Sequence, residues 1–233
     1  MIKVIPKTAL GRFDNEWLHS RFHFSFSGVA APMGSRFGAL RVWNDDLIRA
    51  GTGFPQHGHR DMEIITYVRH GAISHADSLG NEGRTEAGSV QVMSAGTGIQ
   101  HAEWNRESVD TELFQIWVEP DRGGLPPRGA TADFPRGDRA GRLVPLASGE
   151  KGVEGALAIH QNATLYGAQL EAGTRLRHEL APGRVAYLVP AEGRIKVGDQ
   201  AAGARDGVAI LGEKTFEIAV EEAAELLLFD LPA

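Results

Sequence analysis

Residues 56–63 read Gln56-His57-Gly58-His59-Arg60-Asp61-Met62-Glu63. In a β-strand, side chains alternate between the two faces, so His57 and His59 point the same way. Their imidazoles can then bind one metal ion from neighbouring positions. Asp61 and Glu63 have the same parity. The stretch therefore predicts a β-strand that presents metal-binding side chains on one side.

A second pair of candidate ligands lies in His101-Ala102-Glu103, with both side chains on one face of one strand. The chain contains no cysteine, so disulfides are impossible and a metal must be held by imidazoles and carboxylates. The set His57, His59, His101 and Glu103 suits a divalent ion such as Fe(II), Mn, Co, Ni, Cu or Zn and leaves coordination positions open. Isolated His-x-His pairs are common at protein surfaces, so the prediction depends on the fold bringing the two pairs together.

Short apolar runs separated by turn residues predict an all-β chain. Glycine and proline are frequent, at 29 and 11 residues, and helical periodicity is hard to find. The strand-like runs are residues 39–42, 64–68, 90–93, 113–118, 165–170, 185–189, 208–211 and 226–229.

The chain divides into two similar halves. Gly51 lies twenty residues before Gly71, and Gly173 lies twenty residues before Gly193, which indicates one β unit used twice; chance among many glycines is the alternative. Residues 119–128 contain three prolines and cannot form a central strand, because proline lacks the N–H that a ladder needs. We interpret residues 119–142 as a linker and predict domains at residues 1–134 and 135–233.

The acidic balance of the chain argues against nucleic acid as a main partner. The formal net charge is −6 at pH 7, whereas a phosphate-binding surface usually has a basic excess. No stretch approaches the roughly 20 apolar residues that a membrane span needs, and the first residues lack the apolar run of a signal peptide. We therefore expect a cytoplasmic protein that binds neither nucleic acid directly nor membranes.

The spacing of glycines and candidate ligands resembles that of a known family, the cupins. The two motifs are Gly51-x5-His57-x-His59-x3-Glu63 followed by Gly71, and Gly88-x12-His101-x3-Asn105. Within the cupins the sequence is most similar to the pirins, and the similarity extends over nearly the whole chain. The strings that carry it lie within residues 17–26, 39–46, 57–68, 77–81, 93–103 and 228–232.

This resemblance implies two cupin jelly-roll β-barrels packed face to face in one chain, with one metal ion in the N-terminal barrel. It implies His57, His59, His101 and Glu103 as the ligands, because pirins use the carboxylate at the Glu103 position where most other cupins use the one at Glu63. Fe(II) is the first expectation for the metal, with Mn, Co, Ni, Cu and Zn as alternatives. Glu63 is then a neighbour of the site.

The second half departs from the ligand pattern. Aligned on the glycines, the two histidines of the first motif become Glu179 and Ala181, and His178 is one residue out of register, on the opposite strand face. We therefore expect a C-terminal barrel without a metal, whose role is packing against the first. His75 is an alternative residue near the site that we rank below the four ligands. Asn105 is either a hydrogen-bonding neighbour or a turn residue, and the acidic run 221–225 is interpreted as a solvated turn.

The resemblance also implies an activity, because several pirins cleave flavonols with O₂ as quercetin 2,3-dioxygenases do. On that interpretation Glu103 is the catalytic residue and accepts the proton of the flavonol hydroxyl, and the ring opens with loss of carbon monoxide. Phe54, Met62, Trp104 and Phe114 are the candidates for an apolar pocket wall. The alternative is a non-enzymatic, metal-dependent regulator with a protein partner, and the same four ligands serve both functions.

Overall fold

The protein is built almost wholly from β-strands, which confirms the all-β prediction. The computed structural model describes residues 1–233 and adds two short 3-10 turns, Lys7–Ala9 and Arg136–Arg139, to the strands. No helical segment has the length and apolar character that crossing a membrane requires. The strands of the N-terminal half are β1 (Ile2–Ile5), β2 (Gly11–Asp14), β3 (Leu18–Phe22), β4 (Leu40–Ile48), β5 (Gly53–His59), β6 (Glu63–His70), β7 (Ala72–Asp77), β8 (Glu82–Glu86), β9 (Ser89–Ser94), β10 (Ile99–Trp104), β11 (Thr111–Val118) and β12 (Arg128–Asp133). Those of the C-terminal half are β13 (Val144–Ser148), β14 (Leu157–Ala158), β15 (Thr164–Leu170), β16 (Arg175–Glu179), β17 (Arg184–Val197), β18 (Gln200–Gly203), β19 (Gly207–Ile210) and β20 (Thr215–Pro232).

Two antiparallel sheets form the barrel of the N-terminal half. Seven strands pair in the order β12-β9-β6-β11-β4-β3-β2, and four pair in the order β5-β10-β7-β8. The central strands β6 and β11 are rich in isoleucine, valine, threonine and aromatic residues, which suit a pleated surface buried on both faces. The two histidine motifs lie on β5 and β10, which are neighbours in the smaller sheet.

A nine-stranded sheet forms the barrel of the C-terminal half. Its main path is β1-β19-β17-β20-β15-β13-β14, with β16 on β20 and β18 on β17. The long strands β17 and β20 shift register around Gly193, where φ is +79° and a Cβ atom would collide with the carbonyl oxygen of Ala223. Gly51, Gly71 and Gly173 also have positive φ, so the four glycines of the predicted repeat share the conformation that glycine adopts most easily.

Sheet membership changes within the segment that joins the two halves. β12 pairs only with β9, at the edge of the seven-stranded sheet, whereas β13 belongs to the C-terminal sheet. The segment predicted as a linker therefore carries an edge strand directly after Pro126 and Pro127, the kind of position where a sheet tolerates proline. Because β1 pairs with β19, residues 2–5 belong to the C-terminal sheet, and the division into residues 1–134 and 135–233 stays a prediction.

The main hydrophobic core lies between the two barrels. Ile65 and Tyr67 of β6 and Phe114 of β11 belong to one packed cluster with Tyr187 of β17 and Phe229 of β20. Because side chains alternate along a strand, the intervening residues of β6 and β11 face the interior of the N-terminal barrel. The barrels therefore meet face to face across one apolar layer.

The interiors of the two barrels differ in polarity. The C-terminal interior is filled by aliphatic side chains such as Leu188, Ile218 and Leu228. The N-terminal interior contains buried polar side chains, among them Thr66 and Gln115. Buried polar groups cost free energy unless they find hydrogen-bonding partners, so their concentration in one barrel indicates a site there.

The acidic run 221–225 lies in a strand and not in the predicted turn; residues 221–223 are exposed as expected, whereas Ala224 and Glu225 are buried. β20 passes through it, and Glu225 is only 1% exposed. The Glu225 carboxylate accepts hydrogen bonds from Tyr67, Arg136 and Arg139. The charge is buried between the barrels among partners from distant segments, which a local sequence pattern does not reveal.

Candidate metal centre

Strands β5 and β10 bring three imidazoles together. His101 is directly opposite His57 in the antiparallel register, and His59 lies two residues further along β5. The Nε2 atom of His101 is 3.0 Å from Nε2 of His57 and 3.0 Å from Nε2 of His59. The alternation predicted from the sequence is therefore present, and three ring nitrogens converge on one point.

The three histidines are arranged to bind a cation. Burial, followed by the neighbouring imidazoles, lowers the pKa of His59 to about 4 and that of His101 to about 3, so both rings are neutral near pH 7. Nδ1 of His57 donates a hydrogen bond to the carbonyl oxygen of Pro55 at 2.8 Å, which leaves its Nε2 with a free lone pair. Converging lone pairs repel one another unless a cation or a proton lies between them. The donor set therefore fits a borderline divalent metal.

The fourth predicted ligand, Glu103, lies beside this triad with its carboxylate held by two polar neighbours. Nε2 of Gln115 donates to it at 3.1 Å, and the hydroxyl of Thr66 lies 3.4 Å away. Glu103 belongs to a second group of possible ligands, with His75 and His101, rather than to the group of three imidazoles. Burial raises its pKa, which makes it a stronger proton acceptor than an exposed carboxylate.

A β-bulge sets the position of Glu103. The register of β10 against β5 shifts between His101 and Glu103, so that Glu103 pairs with Phe54. Gly53 permits the close approach of the two backbones, because a Cβ atom there would collide with the carbonyl oxygen of Glu103.

Glu63 lies in neither group of possible ligands, and its place as a neighbour of the site stays a prediction. Its carboxylate is buried and accepts a hydrogen bond from the hydroxyl of Ser94 at 2.7 Å. The parity argument fails because β5 ends at His59 and a turn intervenes, with Asp61 at a φ of +47°. Counting residues in steps of two holds only within one strand.

Two residues outside the predicted ligand set, His75 and Asp77, lie against the triad. Strand β7 is the other neighbour of β10 and places His75 opposite Glu103 and Asp77 opposite His101. Nδ1 of His75 is 3.4 Å from Nδ1 of His101, and its Nε2 is 3.3 Å from Oδ2 of Asp77. The available signal was the His75-x-Asp77 spacing, which puts both side chains on one strand face.

The imidazole triad lines a cavity of about 240 Å³ whose walls are partly apolar. Phe54 lines it as predicted, whereas Met62, Trp104 and Phe114 do not. Phe114 packs between the barrels, and Trp104 is 38% exposed. The other apolar walls are Phe26, Ile64 and Trp117.

Of the two interpretations of Asn105, the structure supports the turn residue. Its Nδ2 donates to the carbonyl oxygens of Ile48 and Val109, both at 2.9 Å. Its Oδ1 accepts a hydrogen bond from the backbone N–H of Glu107. These bonds close the loop between β10 and β11 and touch neither His101 nor Glu103.

Comparison with known proteins identifies the family. Residues 4–118 match the family model described as Pirin, and residues 146–231 match the model described as the quercetinase C-terminal cupin domain. A pirin-like protein of Caulobacter vibrioides is 50% identical over 99% of this chain and 99% of its own length. The chain belongs to the pirin family.

Further relatives of this pirin agree in sequence and in structure. The quercetin 2,3-dioxygenase of Escherichia coli K12 is 39% identical, with 100% of this chain and 99% of the relative covered. The crystal structure of the bacterial pirin YhhW of Escherichia coli in complex with nickel(II) superposes with a TM-score of 0.94 at 37% identity, covering 100% of this chain and 99% of that one. The prediction of two cupin barrels in a pirin is therefore confirmed.

Both groups of possible metal ligands in this pirin lie in its N-terminal barrel. At the aligned positions of the C-terminal barrel, Glu179 is exposed, and Nε2 of His178 is 2.8 Å from Oδ2 of Asp230. Arg184 also contacts Asp230, so the carboxylate that faces His178 is already paired with a guanidinium.

Proposed function

We propose that this pirin binds one divalent transition metal ion per chain through His57, His59, His101 and Glu103 and acts as a quercetin 2,3-dioxygenase. The observation that carries the proposal is the convergence of three imidazoles in a partly apolar cavity. A closed structural site has no need of an adjoining cavity, whereas a reaction site does. The name of the Escherichia coli relative supports the same activity.

Fe(II) is the metal we propose first, with Mn, Co, Ni, Cu and Zn as alternatives. Imidazole and carboxylate ligands accept all of these ions, and their affinities follow a general order that does not itself select iron. The nickel(II) complex of the Escherichia coli pirin supports the binding of a divalent ion by this chain. When bound, such an ion would supply a Lewis acid for the flavonolate anion and, for the ions other than Zn, a redox-active centre for the reaction with O₂.

The side chains around the cavity have two further roles, which are to bind the aromatic rings and to accept a proton. Phe26, Phe54, Ile64 and Trp117 provide apolar walls for flat aromatic rings and keep bulk water away from the reacting atoms. Glu103 would accept the proton of the flavonol 3-hydroxyl; burial raises its pKa, and a bound cation would act in the opposite direction.

The overall reaction requires no reductant. The flavonol and O₂ are the only substrates, two carbon–carbon bonds of the central ring break, and the ring carbon between them leaves as carbon monoxide. Both oxygen atoms of O₂ remain in the depside product. The enzyme therefore has to hold one aromatic anion and admit one small gas molecule, which a small cavity can do.

An anaerobic reconstitution assay tests the proposal. Metal-free protein is loaded with one equivalent of Fe(II), Mn, Co, Ni or Cu, quercetin is added, and then O₂ is admitted. We expect quercetin and O₂ to be consumed in equal amounts. The loss of flavonol absorbance measures the first, and carbon monoxide should accumulate in the headspace. The variant with both His57→Ala and His101→Ala should retain no metal and should produce no carbon monoxide.

Two results would count against the proposal. Two tightly bound metal equivalents per chain would contradict the single site. No turnover with any of the metals across several flavonols would remove the dioxygenase function, and a metal-dependent change in protein binding by that same preparation would favour a regulator.

A further inference from the structure

The cavity beside the imidazole triad has a polar floor made of Asn44, Asp46 and Gln115. Asn44 and Asp46 lie two residues apart on β4, so their side chains share one face, and both are buried. All three residues line the cavity, and their side chains are polar whereas the other walls are apolar. Buried amide and carboxyl groups cost free energy, so their presence in a cavity wall calls for a partner.

The polar floor is continuous with the candidate metal centre. Gln115 is directly opposite Asn44 on one neighbouring strand and opposite Thr66 on the other. Nε2 of Gln115 donates to Glu103, and the Thr66 hydroxyl lies near the same carboxylate. A ligand in this cavity can therefore reach the imidazole triad and the polar floor together.

Hydrogen-bonding capacity is left open at this floor. Oδ1 of Asn44 has no hydrogen-bonding partner, and neither does the buried Nε1 of Trp117, which lines the same cavity. Asp46 accepts a hydrogen bond from the hydroxyl of Ser20 through one oxygen. Leaving a buried polar group unpaired costs free energy, so a ligand that supplies the missing partner binds more tightly.

The protonation of Asp46 adds to this capacity. Burial raises the pKa of Asp46 to about 7 against the opposing effect of the Ser20 hydrogen bond. Near neutral pH the carboxyl group of the metal-free protein is present in both its protonated and its ionised form, so it can donate a hydrogen bond as well as accept one.

We infer that Asn44 and Asp46 form a hydroxyl-binding subsite that selects aromatic substrates with several ring hydroxyls over those with bare rings. The inference rests on the proposed function and deepens it by naming residues that choose among flavonols. The apolar walls contact the ring faces, and the hydroxyls at the ring edge meet Asn44 and Asp46. A site built to hydrogen-bond a hydroxyl discriminates against the analogue that lacks it, because its own polar groups are then left unpaired.

A comparison of two flavonols tests the inference. Quercetin carries hydroxyls on all three ring systems, whereas 3-hydroxyflavone keeps only the hydroxyl that the metal centre needs. The dissociation constant of each is measured anaerobically on metal-loaded protein, by quenching of tryptophan fluorescence. We expect the wild type to bind quercetin at least about tenfold more tightly than 3-hydroxyflavone, consistent with one or two hydrogen bonds.

The variants then locate the preference. Asn44→Leu and Asp46→Leu should each reduce the ratio of the two dissociation constants by about 3- to 10-fold, through weaker quercetin binding with unchanged metal content. Asp46→Asn, which keeps a donor and an acceptor, should retain most of the preference. Asn162→Ala, at an exposed position of the C-terminal half, is the control.

The outcomes separate this inference from the proposed function. An unchanged ratio in both leucine variants, with turnover present, overturns the subsite and leaves the dioxygenase intact. A ratio that falls as expected in a protein without turnover supports the subsite and removes the dioxygenase. A wild type that binds neither flavonol overturns the subsite as well.

Discussion

Nδ1 of His101 lies 3.4 Å from Nδ1 of His75, on the side of the imidazole that faces away from the triad. Nε2 of His75 in turn lies 3.3 Å from the carboxylate of Asp77, which also accepts hydrogen bonds from the backbone N–H groups of Leu79 and Asn81. Because the carboxylate can only accept, His75 carries its hydrogen on Nε2 and accepts at Nδ1. His101 therefore carries its hydrogen on Nδ1 and leaves Nε2 free for a metal.

The first prediction is that His75→Ala and Asp77→Asn weaken metal binding although neither residue is a proposed ligand. Partners that orient a ligating histidine commonly contribute 10- to 100-fold to affinity, so we expect a loss in that range. The dissociation constant is measured by competition with a chromophoric chelator, and the Co(II) absorption spectrum should change as well. His70→Ala, at an exposed end of β6, is the matched control. If both variants bound the metal as tightly as this control, the orienting role would be contradicted.

The second prediction separates the two glutamates of the sequence motifs. Glu103→Gln should reduce metal affinity and lower turnover by at least about tenfold, because it removes the proposed anionic ligand and the proton acceptor. Glu63→Gln should leave metal content intact, because Glu63 contacts Ser94 and lies in neither group of possible ligands. Metal analysis and initial rates on both variants decide the matter. Loss of metal in Glu63→Gln with normal binding in Glu103→Gln would reverse the assignment.

Strand alternation predicts from the sequence which side chains share a face, and it succeeds wherever one strand contains the whole motif. His57 and His59 on β5, and His101 and Glu103 on β10, are such cases. It fails for Glu63, because the turn at Asp61 separates it from β5. Parity is a local property and ends with the strand.

Strand neighbours and irregular segments lie beyond a local pattern. β7 lies beside β10 only through the sheet topology, so the His75-x-Asp77 spacing shows that these two side chains share a face but not that His75 meets His101. Phe26 reaches the cavity from a segment outside the strands, where alternation gives no direction. Glu225 looks solvated by composition but is buried, because the long strand β20 carries it between the barrels. The strands and the faces of their side chains follow from short-range pattern, whereas the meeting of β5 with β10 and the surroundings of the site follow from long-range pairing.

The third prediction concerns the pH dependence of stability in metal-free protein. The pKa of Asp46 is raised to about 7 from its ordinary 3.8, so between these values the folded state binds a proton that the unfolded state has lost. This contribution to stability is complete below pH 4 and is lost as the pH rises towards 7 and above. Asp46→Asn has no such proton, so it should gain stability relative to wild type by roughly 2–3 kcal/mol between pH 5 and pH 8. Urea unfolding at several pH values measures the free energy of unfolding of both proteins. If the two free energies changed with pH in parallel, a buried, titrating Asp46 would be excluded.

The last prediction concerns the charge cluster between the barrels. Arg139 is fully buried, and its guanidinium donates to the Tyr67 hydroxyl at 2.8 Å and to Glu225 at 3.1 Å. Arg139→Met should lower the free energy of unfolding by about 3–5 kcal/mol, because it leaves the Glu225 carboxylate in an apolar layer with only the half-exposed Arg136 as a cation.

A double variant distinguishes this cause from a simple packing defect. Arg139→Met combined with Glu225→Met removes both charges, so it should cost less than the sum of the single variants in urea unfolding. Arg175→Met breaks an exposed pair with Glu217 and should change the stability little. Additive costs would mean that Arg139 stabilises the interface through its volume alone. A sub-additive cost would mean that each of the two charges between the barrels depends on the other. A lone carboxylate or a lone guanidinium in that layer would then lower the stability more than the removal of both charges.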